Sequence, residues 1–269
     1  MTAGLQSWPC AAFGVPFQLT ADSDSVLAHM LACAPLGTQI CASRSPAARQ
    51  FSLLAPQDPG GFRLTIDEEI VAEHPDLQPA LEQLARNLMV HVANYAPDRI
   101  FVHAGVVGWQ GHALVLPGTS FAGKTTLVGE LVRAGATYYS DEYAVLDEHG
   151  RVHPYARDLQ MRRPGSPEQT SVAVEHLNGT VGTAPLPVLR VAFVEYKESG
   201  QWNPEPVSTG MAVLDMLQHT IPVQRTPARV MATLAKMMET ATAVRSERGE
   251  ASHAARCLLN AMGPCEASR

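Results

Sequence analysis

The chain has 269 residues, of which 46% are hydrophobic and 17% are charged, and its formal net charge at pH 7 is −6. This length provides about one large domain or two small ones with a substantial core, and the hydrophobic content excludes an intrinsically disordered chain. The basic residues are spread along the sequence without a run of like charge, whereas nucleic-acid-binding proteins carry a basic patch. We therefore expect a globular protein with no nucleic-acid partner.

The five cysteines form no CxxC pair and lie far apart, which predicts neither a disulfide framework nor a zinc site. A reducing cytoplasm fits this pattern best. The N-terminal segment lacks a basic region followed by an apolar one, so no signal peptide is expected. No apolar run approaches the ~18 residues of a membrane span. The sequence therefore predicts a cytoplasmic protein without a membrane partner.

Residues 1–97 predict a small N-terminal α+β domain. Short apolar segments bounded by polar, glycine or proline residues indicate strands, and Leu81, Leu84, Leu88 and Val92 recur at helical spacing. The glycine- and proline-containing residues 57–61 predict a hairpin turn between two of the strands. The predicted elements are strands over 12–19, 51–54 and 62–66, a helix that starts among residues 21–24 and ends near Ala34, and a helix over 77–95.

Residues 98–269 predict a second, α/β domain whose C-terminal region, from about residue 208, is mostly helical. Trp109 lies in a predicted turn over 108–111, where we expect an exposed aromatic side chain. The predicted elements are strands over 99–107, 112–116, 138–140, 143–146 and 188–194 and a helix over 125–134.

Residues 118–125 match the pattern GxxxxGK[ST] between a predicted strand and a predicted helix. Glycine is needed where a side chain would block a phosphate or where φ is positive, and the helix directs its positive N-terminal end at the anion. Lys124 would reach the outer phosphates, and the Thr125 hydroxyl would bind Mg²⁺. The expected nucleotide-binding residues are Gly118, Thr119, Ser120, Phe121, Ala122, Gly123, Lys124, Thr125 and Thr126.

The scarcity of lysine makes this match specific. Only three of the 20 basic residues are lysines, and one of them, Lys124, occupies the position at which the pattern requires lysine. With this composition, a random match is expected roughly once in 500 such chains. We therefore interpret residues 118–125 as a phosphate-binding loop rather than an incidental glycine turn.

Two adjacent acidic residues, Asp141 and Glu142, follow Lys124 after a gap that allows one helix, one turn and one strand. This gap predicts that Asp141 lies at the end of the strand next to the loop, where a P-loop enzyme needs an acidic group for Mg²⁺. Two acids suggest two tasks: one oxygen to bind the metal and one to accept the proton of a substrate hydroxyl. His103 lies in the strand that precedes the loop strand.

This arrangement resembles the HPr kinase/phosphorylase family, whose kinase domain is related to phosphoenolpyruvate carboxykinases. That family has a histidine-containing strand, a P-loop and an acidic pair at the spacing of His103, residues 118–125 and residues 141–142. Ala104 and Phe121 stand where that family usually has glycine. The whole chain looks more like the HPr-kinase-related proteins of unassigned substrate, some of which phosphorylate a serine of a peptide precursor.

The resemblance implies a P-loop core with a small N-terminal domain and a helical C-terminal region, and it suggests a homo-oligomer. By the resemblance, Asp141 is the general base, Glu142 is a Mg²⁺ ligand with Thr125 and Asp141 as the other candidates, and His103 tunes the charge of Asp141. Lys124 completes the catalytic set. Arg157 and Arg162 are candidate clamps for a phosphate or a substrate, because a guanidinium group suits both carboxylate and phosphate.

These observations predict a kinase that uses ATP and Mg²⁺ to phosphorylate a hydroxyl of a protein or peptide serine or of a small alcohol. Two alternatives remain open at this point. One is a nucleotide-binding ATPase or switch that acts through a protein partner. The other is a carboxykinase-like enzyme, which would need a second metal site with additional lysine and histidine ligands.

Overall fold

The computed structural model describes residues 4–55, 61–118, 123–162 and 169–263. The protein is a mixed α/β chain with two main mixed sheets, of six and eight strands, and helices interspersed between the strands. The predicted combination of helices and strands is confirmed at this level. By its internal contacts, the chain divides into two compact units, Met1–Asp98 and Arg99–Arg269.

The first unit contains the six-stranded sheet, with strand order β3-β1-β2-β4-β5-β6. Strands β2 and β4 are parallel, and the other neighbouring pairs are antiparallel. Its elements are β1 (Gln6–Ala12), β2 (Val15–Ala21), α1 (Asp24–Cys33), β3 (Gln39–Ile40), β4 (Arg49–Leu54), β5 (Phe62–Ile66), β6 (Glu69–His74) and α2 (Leu77–Tyr95).

Both helices of the first unit are confirmed, α1 from its candidate N-terminal capping residues and α2 from apolar residues at helical spacing. The Ser23 side chain caps α1 by accepting a hydrogen bond from the backbone N–H of Val26. The strands predicted over 51–54 and 62–66 are also confirmed, whereas most of the turn predicted over 57–61 lies outside the described residues.

The strand predicted over 12–19 is confirmed from residue 15 onward, in β2, but its start is wrong, because the chain reverses there and forms the hairpin of β1 and β2. Phe13 and Gly14 form this turn, with φ of +48° and +76°. Two successive residues with positive φ match the twist of a tight hairpin. A bulky phenylalanine rarely adopts this conformation, so the sequence did not indicate a turn there.

The second unit contains the eight-stranded sheet, with strand order β11-β10-β7-β8-β14-β16-β15 and with β9 also paired to β7. Its strands are β7 (Ile100–Trp109), β8 (His112–Pro117), β9 (Thr137–Ser140), β10 (Tyr143–Leu146), β11 (Val152–His153), β14 (Val188–Tyr196), β15 (Glu205–Val207) and β16 (Thr242–Arg248), and a separate pair is formed by β12 (Leu159–Arg162) and β13 (Gln169–Val172). Its α-helices are α3 (Lys124–Arg133), α4 (Thr209–Leu217), α5 (Pro227–Met238) and α6 (Ala251–Asn260), and short 3₁₀ turns cover Val174–Leu177 and Ile221–Val223.

Helices cover both faces of this sheet. Because successive side chains of a strand point to opposite faces, one strand contributes residues to the buried clusters on both sides. On β8, Ala113 and Val115 join the buried cluster that contains residues of α4 and α5. Leu114 and Leu116 join a second buried cluster, which contains residues of α3 and α6. The parallel strands β8, β14 and β16 therefore lie between two helical layers, and β8 ends at the candidate phosphate loop.

The C-terminal region is mostly helical, as predicted, and it also contains β16, which lies inside the sheet, parallel to β14 and antiparallel to β15. The prediction for Trp109 is wrong. Trp109 is not an exposed side chain at the tip of a turn: it ends β7 and packs against the cluster with α3 and α6. The turn consists of Gln110 and Gly111, whose φ values of +49° and +80° close the hairpin of β7 and β8.

The remaining predicted elements of this unit are confirmed, including α3 and the strands β9, β10 and β14. Among the helices of the described residues, none combines the length and the apolar character that a membrane crossing requires.

Candidate functional site

The candidate phosphate loop connects the end of β8 to the start of α3. The described residues include only the two ends of this loop, because Thr119, Ser120, Phe121 and Ala122 lie outside them. At one end, the backbone N–H of Gly118 donates to the carbonyl of His103 (3.1 Å). At the other end, Gly123 caps α3 with a φ of +73°, a conformation that favours glycine. The structure therefore has a glycine with positive φ directly before a helix, as the motif predicts.

Lys124 is the first residue of α3, and its side chain reaches Gly118 at the end of β8. Its Nζ atom donates a hydrogen bond to the carbonyl oxygen of Gly118 (2.7 Å), so the ammonium group bridges the two ends of the loop. Burial lowers the pKa of Lys124 from its usual value to about 8, and the negative charge of Asp141 partly opposes this shift. A partly buried ammonium group thus lies at the N-terminal end of a helix, which itself attracts anions. Thr126, in the same turn, is exposed.

The acidic pair lies in the tight turn between β9 and β10. The hydroxyl of Ser140 accepts hydrogen bonds from the backbone N–H groups of Glu142 (3.1 Å) and Tyr143 (2.9 Å) and fixes this turn. The predicted position next to the loop strand needs a correction: β9 and β10 pair with β7, which separates them from β8. The acidic residues nevertheless reach the loop, because β7 pairs with β8 and with both strands of the acidic turn.

Asp141 lies where the acidic turn meets the start of α3. Its carboxylate accepts hydrogen bonds from the Tyr138 hydroxyl (3.0 Å), from the Thr125 hydroxyl and from the backbone N–H of Gln160. Burial raises the pKa of Asp141 above its usual value, and these donors counteract part of the rise. The structure therefore brings together three predicted residues, Lys124, Thr125 and Asp141.

Glu142 has different neighbours from Asp141. The residue has exposed surface, yet its carboxyl group is surrounded by enough protein that desolvation raises its pKa, while the positive charge of Arg157 acts in the opposite direction. The Tyr143 hydroxyl donates to this carboxylate. Arg157 lies over the Tyr155 ring at 5.8 Å. Arg157 thus lies close to the acidic pair, whereas Arg162 ends β12 and its side chain lies outside the described part of the chain.

His103 connects the loop to the acidic turn. Its ring lies 4.6 Å from the ring of Tyr143, and its backbone N–H donates to the carbonyl of His219 (2.7 Å). Burial lowers the pKa of His103, and the positive charges of Lys124 and His219 lower it further. His103 therefore contacts Tyr143 and His219, and the expectation that it tunes the charge of Asp141 stays a prediction.

His219 is a member of this cluster that the sequence did not indicate. It follows α4 and belongs to no recognisable motif. Burial lowers its pKa, and the positive charge of Lys124 adds to the effect. Within the described residues, its Nδ1 atom is buried and has no hydrogen-bond partner. His219 also lines a cavity of about 470 Å³ at the carboxyl ends of β8, β14 and β16, together with Pro117, Phe193, Glu195, Asn203 and Glu247.

The Thr125 hydroxyl and the Asp141 carboxylate are the kind of oxygen ligands that would bind Mg²⁺ together with phosphates. Within the described ranges, no group of three or more histidine, cysteine, aspartate or glutamate residues is arranged to hold a metal ion. Hydroxyl and carboxylate oxygens such as those of Thr125 and Asp141, which are hydrogen-bonded to each other, are suitable ligands. In P-loop enzymes the phosphates and water complete the coordination of Mg²⁺.

No protein-family model matches the chain, and no curated protein matches it. The site is therefore interpreted from its own residues and contacts. Those contacts describe a place for an anion at the start of α3, where the Lys124 ammonium group lies near the carboxylate of Asp141.

Proposed function

We propose that the chain is a kinase of the HPr kinase type that transfers the γ-phosphoryl group of ATP to a hydroxyl group. The acceptor is a serine of a protein or peptide, or a small alcohol, and the enzyme is cytoplasmic. The observation that carries the proposal is the junction of Lys124, Thr125 and Asp141 at the N-terminus of α3. A cation for phosphates, a hydroxyl for a metal and a carboxylate with a raised pKa are the groups that phosphoryl transfer to a hydroxyl needs.

Lys124 and Asp141 have complementary roles in this reaction. The Lys124 ammonium binds the outer phosphates and offsets the negative charge on the transferring group. Asp141 accepts the proton of the acceptor hydroxyl while the oxygen of that hydroxyl bonds to the γ-phosphorus and the bond from this phosphorus to ADP breaks. The raised pKa of Asp141 makes its carboxylate a stronger proton acceptor.

The surrounding residues hold these two groups in place. Thr125 and Asp141, with Glu142 beside them, would hold Mg²⁺, which supplies positive charge at the phosphates when it is bound. His103 has a lowered pKa and is therefore neutral at pH 7, so it adds no second positive charge next to Lys124. Arg157, near Glu142, is positioned to bind a phosphate or an acidic group of the acceptor.

Substitution of the proposed base tests the proposal. We expect the Asp141→Asn variant to bind ATP nearly as well as the natural protein and to transfer phosphate at least ~100-fold more slowly, because it has lost its general base. Transfer from γ-labelled ATP should be measured against serine peptides and small alcohols, and ATP affinity should be measured by calorimetry. Asp24→Asn, on the exposed first turn of α1, is a matched control.

One result would contradict this function. If water is the sole acceptor and Asp141→Asn hydrolyses ATP at the natural rate, then Asp141 is no base for a hydroxyl. The alternative of a nucleotide-dependent switch would then be favoured.

A further inference from the structure

The cavity of about 470 Å³ at the carboxyl ends of β8, β14 and β16 has no role in the reaction as described so far. Open α/β sheets bind their ligands outside the carboxyl ends of the strands, and a cavity of this volume suits a small molecule. Pro117, which lines the cavity, directly precedes Gly118, whose carbonyl accepts the hydrogen bond of the Lys124 ammonium group (2.7 Å). The cavity therefore lies where a second substrate of the phosphoryl transfer is needed.

His219 gives a second connection between this cavity and the candidate site. It lines the cavity, and its carbonyl accepts the backbone N–H of His103 (2.7 Å). The positive charge of Lys124 acts on His219 and is itself influenced by Asp141, the proposed base. Because such effects weaken with distance, one ammonium group is within electrostatic reach of both the cavity wall and the base. An acceptor subsite needs this proximity, since the acceptor hydroxyl must meet the phosphate beside the base.

The sheet forms one wall of the cavity and holds its arginine in place. Phe193 on β14 and Glu205 on β15 are both register partners of Arg245 on β16. The Arg245 guanidinium group lies over the Phe193 ring at 5.6 Å and forms an ion pair with Asp215. Because this cation already has a carboxylate partner, the wall does not favour an anionic acceptor.

Carboxylates outnumber cations in the described lining of the cavity. Of its aspartate, glutamate, lysine and arginine residues, one is basic, Arg245, and three are acidic, namely Glu195, Glu205 and Glu247. Glu195 and Glu247 are register partners on adjacent parallel strands, so two like charges that repel each other lie side by side. Lys197 pairs with Glu247, whereas Glu195 and Glu205 have no ion-pair partner in the described part of the chain. The cavity thus offers negative charge to a ligand.

We propose that this cavity is the acceptor site and that the acceptor is a small alcohol that carries a protonated amino group. The carboxylates of Glu195 and Glu205 bind the ammonium group of the acceptor and leave its hydroxyl group for the reaction. The hydroxyl oxygen bonds to the γ-phosphorus of ATP, the bond from this phosphorus to ADP breaks, and the hydroxyl proton goes to Asp141. The amino group is unchanged. This inference rests on the proposed function, because it names the acceptor of that reaction.

The volume of the cavity and its mixed lining favour a small molecule over a protein segment. About 470 Å³ accommodates a molecule of the size of an amino sugar. Phe193 offers an apolar surface, and the amide groups of Gln201 and Asn203 are suitable partners for further hydroxyl groups. A serine peptide with basic residues would meet the same carboxylates, so the test includes one.

The test measures phosphate transfer from γ-labelled ATP at pH 7 to a panel of small amino alcohols and amino sugars. Each has a neutral counterpart, such as glucose for glucosamine and glycerol for 2-amino-1,3-propanediol. Serine peptides with and without flanking arginines form the third arm. We expect the best amino alcohol to exceed its neutral counterpart at least tenfold in kcat/KM, and we expect this ratio to shrink at high salt.

Substitution of the two carboxylates without an ion-pair partner tests the site itself. The double variant Glu195→Gln and Glu205→Gln keeps the shape of both side chains and removes their charge. We expect its KM for amino alcohols to rise about tenfold, because each partly exposed ion pair contributes a few-fold, while kcat and the affinity for ATP change little. Glu175→Gln, which removes an exposed carboxylate outside the cavity, is the matched control and should leave both KM values unchanged.

Three results would overturn the inference. They are equal kcat/KM values for charged and neutral alcohols, a preference for the basic peptide over every small amino alcohol, and an unchanged KM in the double variant. Thermal unfolding shows that each variant is folded at the temperature of the assay. If the natural protein phosphorylates neither an alcohol nor a serine peptide, the proposed function fails instead.

Discussion

Lys124 is a residue through which pH should affect the candidate site. Its pKa of about 8 means that the ammonium group loses its proton in a range where most lysines keep theirs. An arginine at this position would stay charged but would present a planar group in place of a compact ammonium. The preference for lysine at this one position, in a chain that otherwise uses arginine, therefore has a physical reason.

This pKa predicts that the affinity for ATP decreases as the pH rises through about 8. If the charged form binds phosphate, about one tenth of the protein is competent one pH unit above the pKa, so the Kd at pH 9 should be about tenfold higher than at pH 7. Calorimetry between pH 6.5 and 9.5 measures this change. Lys124→Arg should remove the pH dependence and should strongly impair phosphoryl transfer. A flat profile in the natural protein, or near-normal transfer by Lys124→Arg, would contradict this role of Lys124.

Tyr138 should influence the base through its hydrogen bond to Asp141. The bond lowers the pKa of Asp141, so Tyr138→Phe raises this pKa and leaves the carboxyl protonated up to a higher pH. We therefore expect the acidic limb of the kcat profile to move to higher pH. Tyr139→Phe is the matched control, because the neighbouring hydroxyl donates to Ala184 instead. An unchanged acidic limb in Tyr138→Phe would show that Asp141 does not determine that limb.

Individual residues of the site differ in how well the sequence indicates them. Lys124 and Thr125 belong to a motif with fixed spacing, and the acidic pair follows them after a short gap, so local sequence is sufficient to propose them. His219 and Arg248, whose Nη2 atom donates to the carbonyl of Gly123 (2.9 Å), come from distant segments, the end of α4 and the end of β16. They reach the loop only because β7 and β14 lie on either side of β8. No local pattern encodes such long-range neighbours.

At the level of secondary-structure elements, the turn between β9 and β10 depends on a single buried hydroxyl. Ser140 is 1% exposed and satisfies the backbone N–H groups of both Glu142 and Tyr143. In Ser140→Ala these groups lose their acceptor, so we expect the free energy of unfolding to fall by about 1–3 kcal/mol. Urea unfolding measures this difference. Ser171→Ala, which removes an exposed hydroxyl from β13, should cost less, and an equal cost in both variants would contradict the special role of Ser140.

Strand β16 was not predicted, and its sequence shows why this strand is harder to recognise than the helices around it. Three residues of β16 are buried, namely Ala243, Ser246 and Arg248. Two of these three are polar, so hydrophobicity alone gives no alternating signal, and the flanking helices suggest that the helical pattern continues. The pairing with β14 along seven residues determines its conformation. Tertiary contacts thus override a weak local preference. By contrast, α2 carries a regular apolar stripe and was identified directly.

At the scale of the whole molecule, the second unit contains both the candidate site and its own core. The two buried clusters on the faces of the eight-stranded sheet include residues from 100 onward only. A chain of about 170 residues is long enough to bury a core of its own. The loop, the acidic turn, His219 and Arg248 all lie within the same unit.

This distribution predicts that residues 99–269, produced alone, fold cooperatively and bind ATP with an affinity within a few-fold of that of the full chain. The reason is that the described contacts of the site, from His103 to His219, are made within this segment. Thermal unfolding followed by circular dichroism tests the folding, and calorimetry tests the binding. The segment carrying Asp141→Asn is the matched control and should bind ATP without transferring phosphate. A folded segment that has lost ATP binding would mean that the first unit supplies part of the nucleotide site.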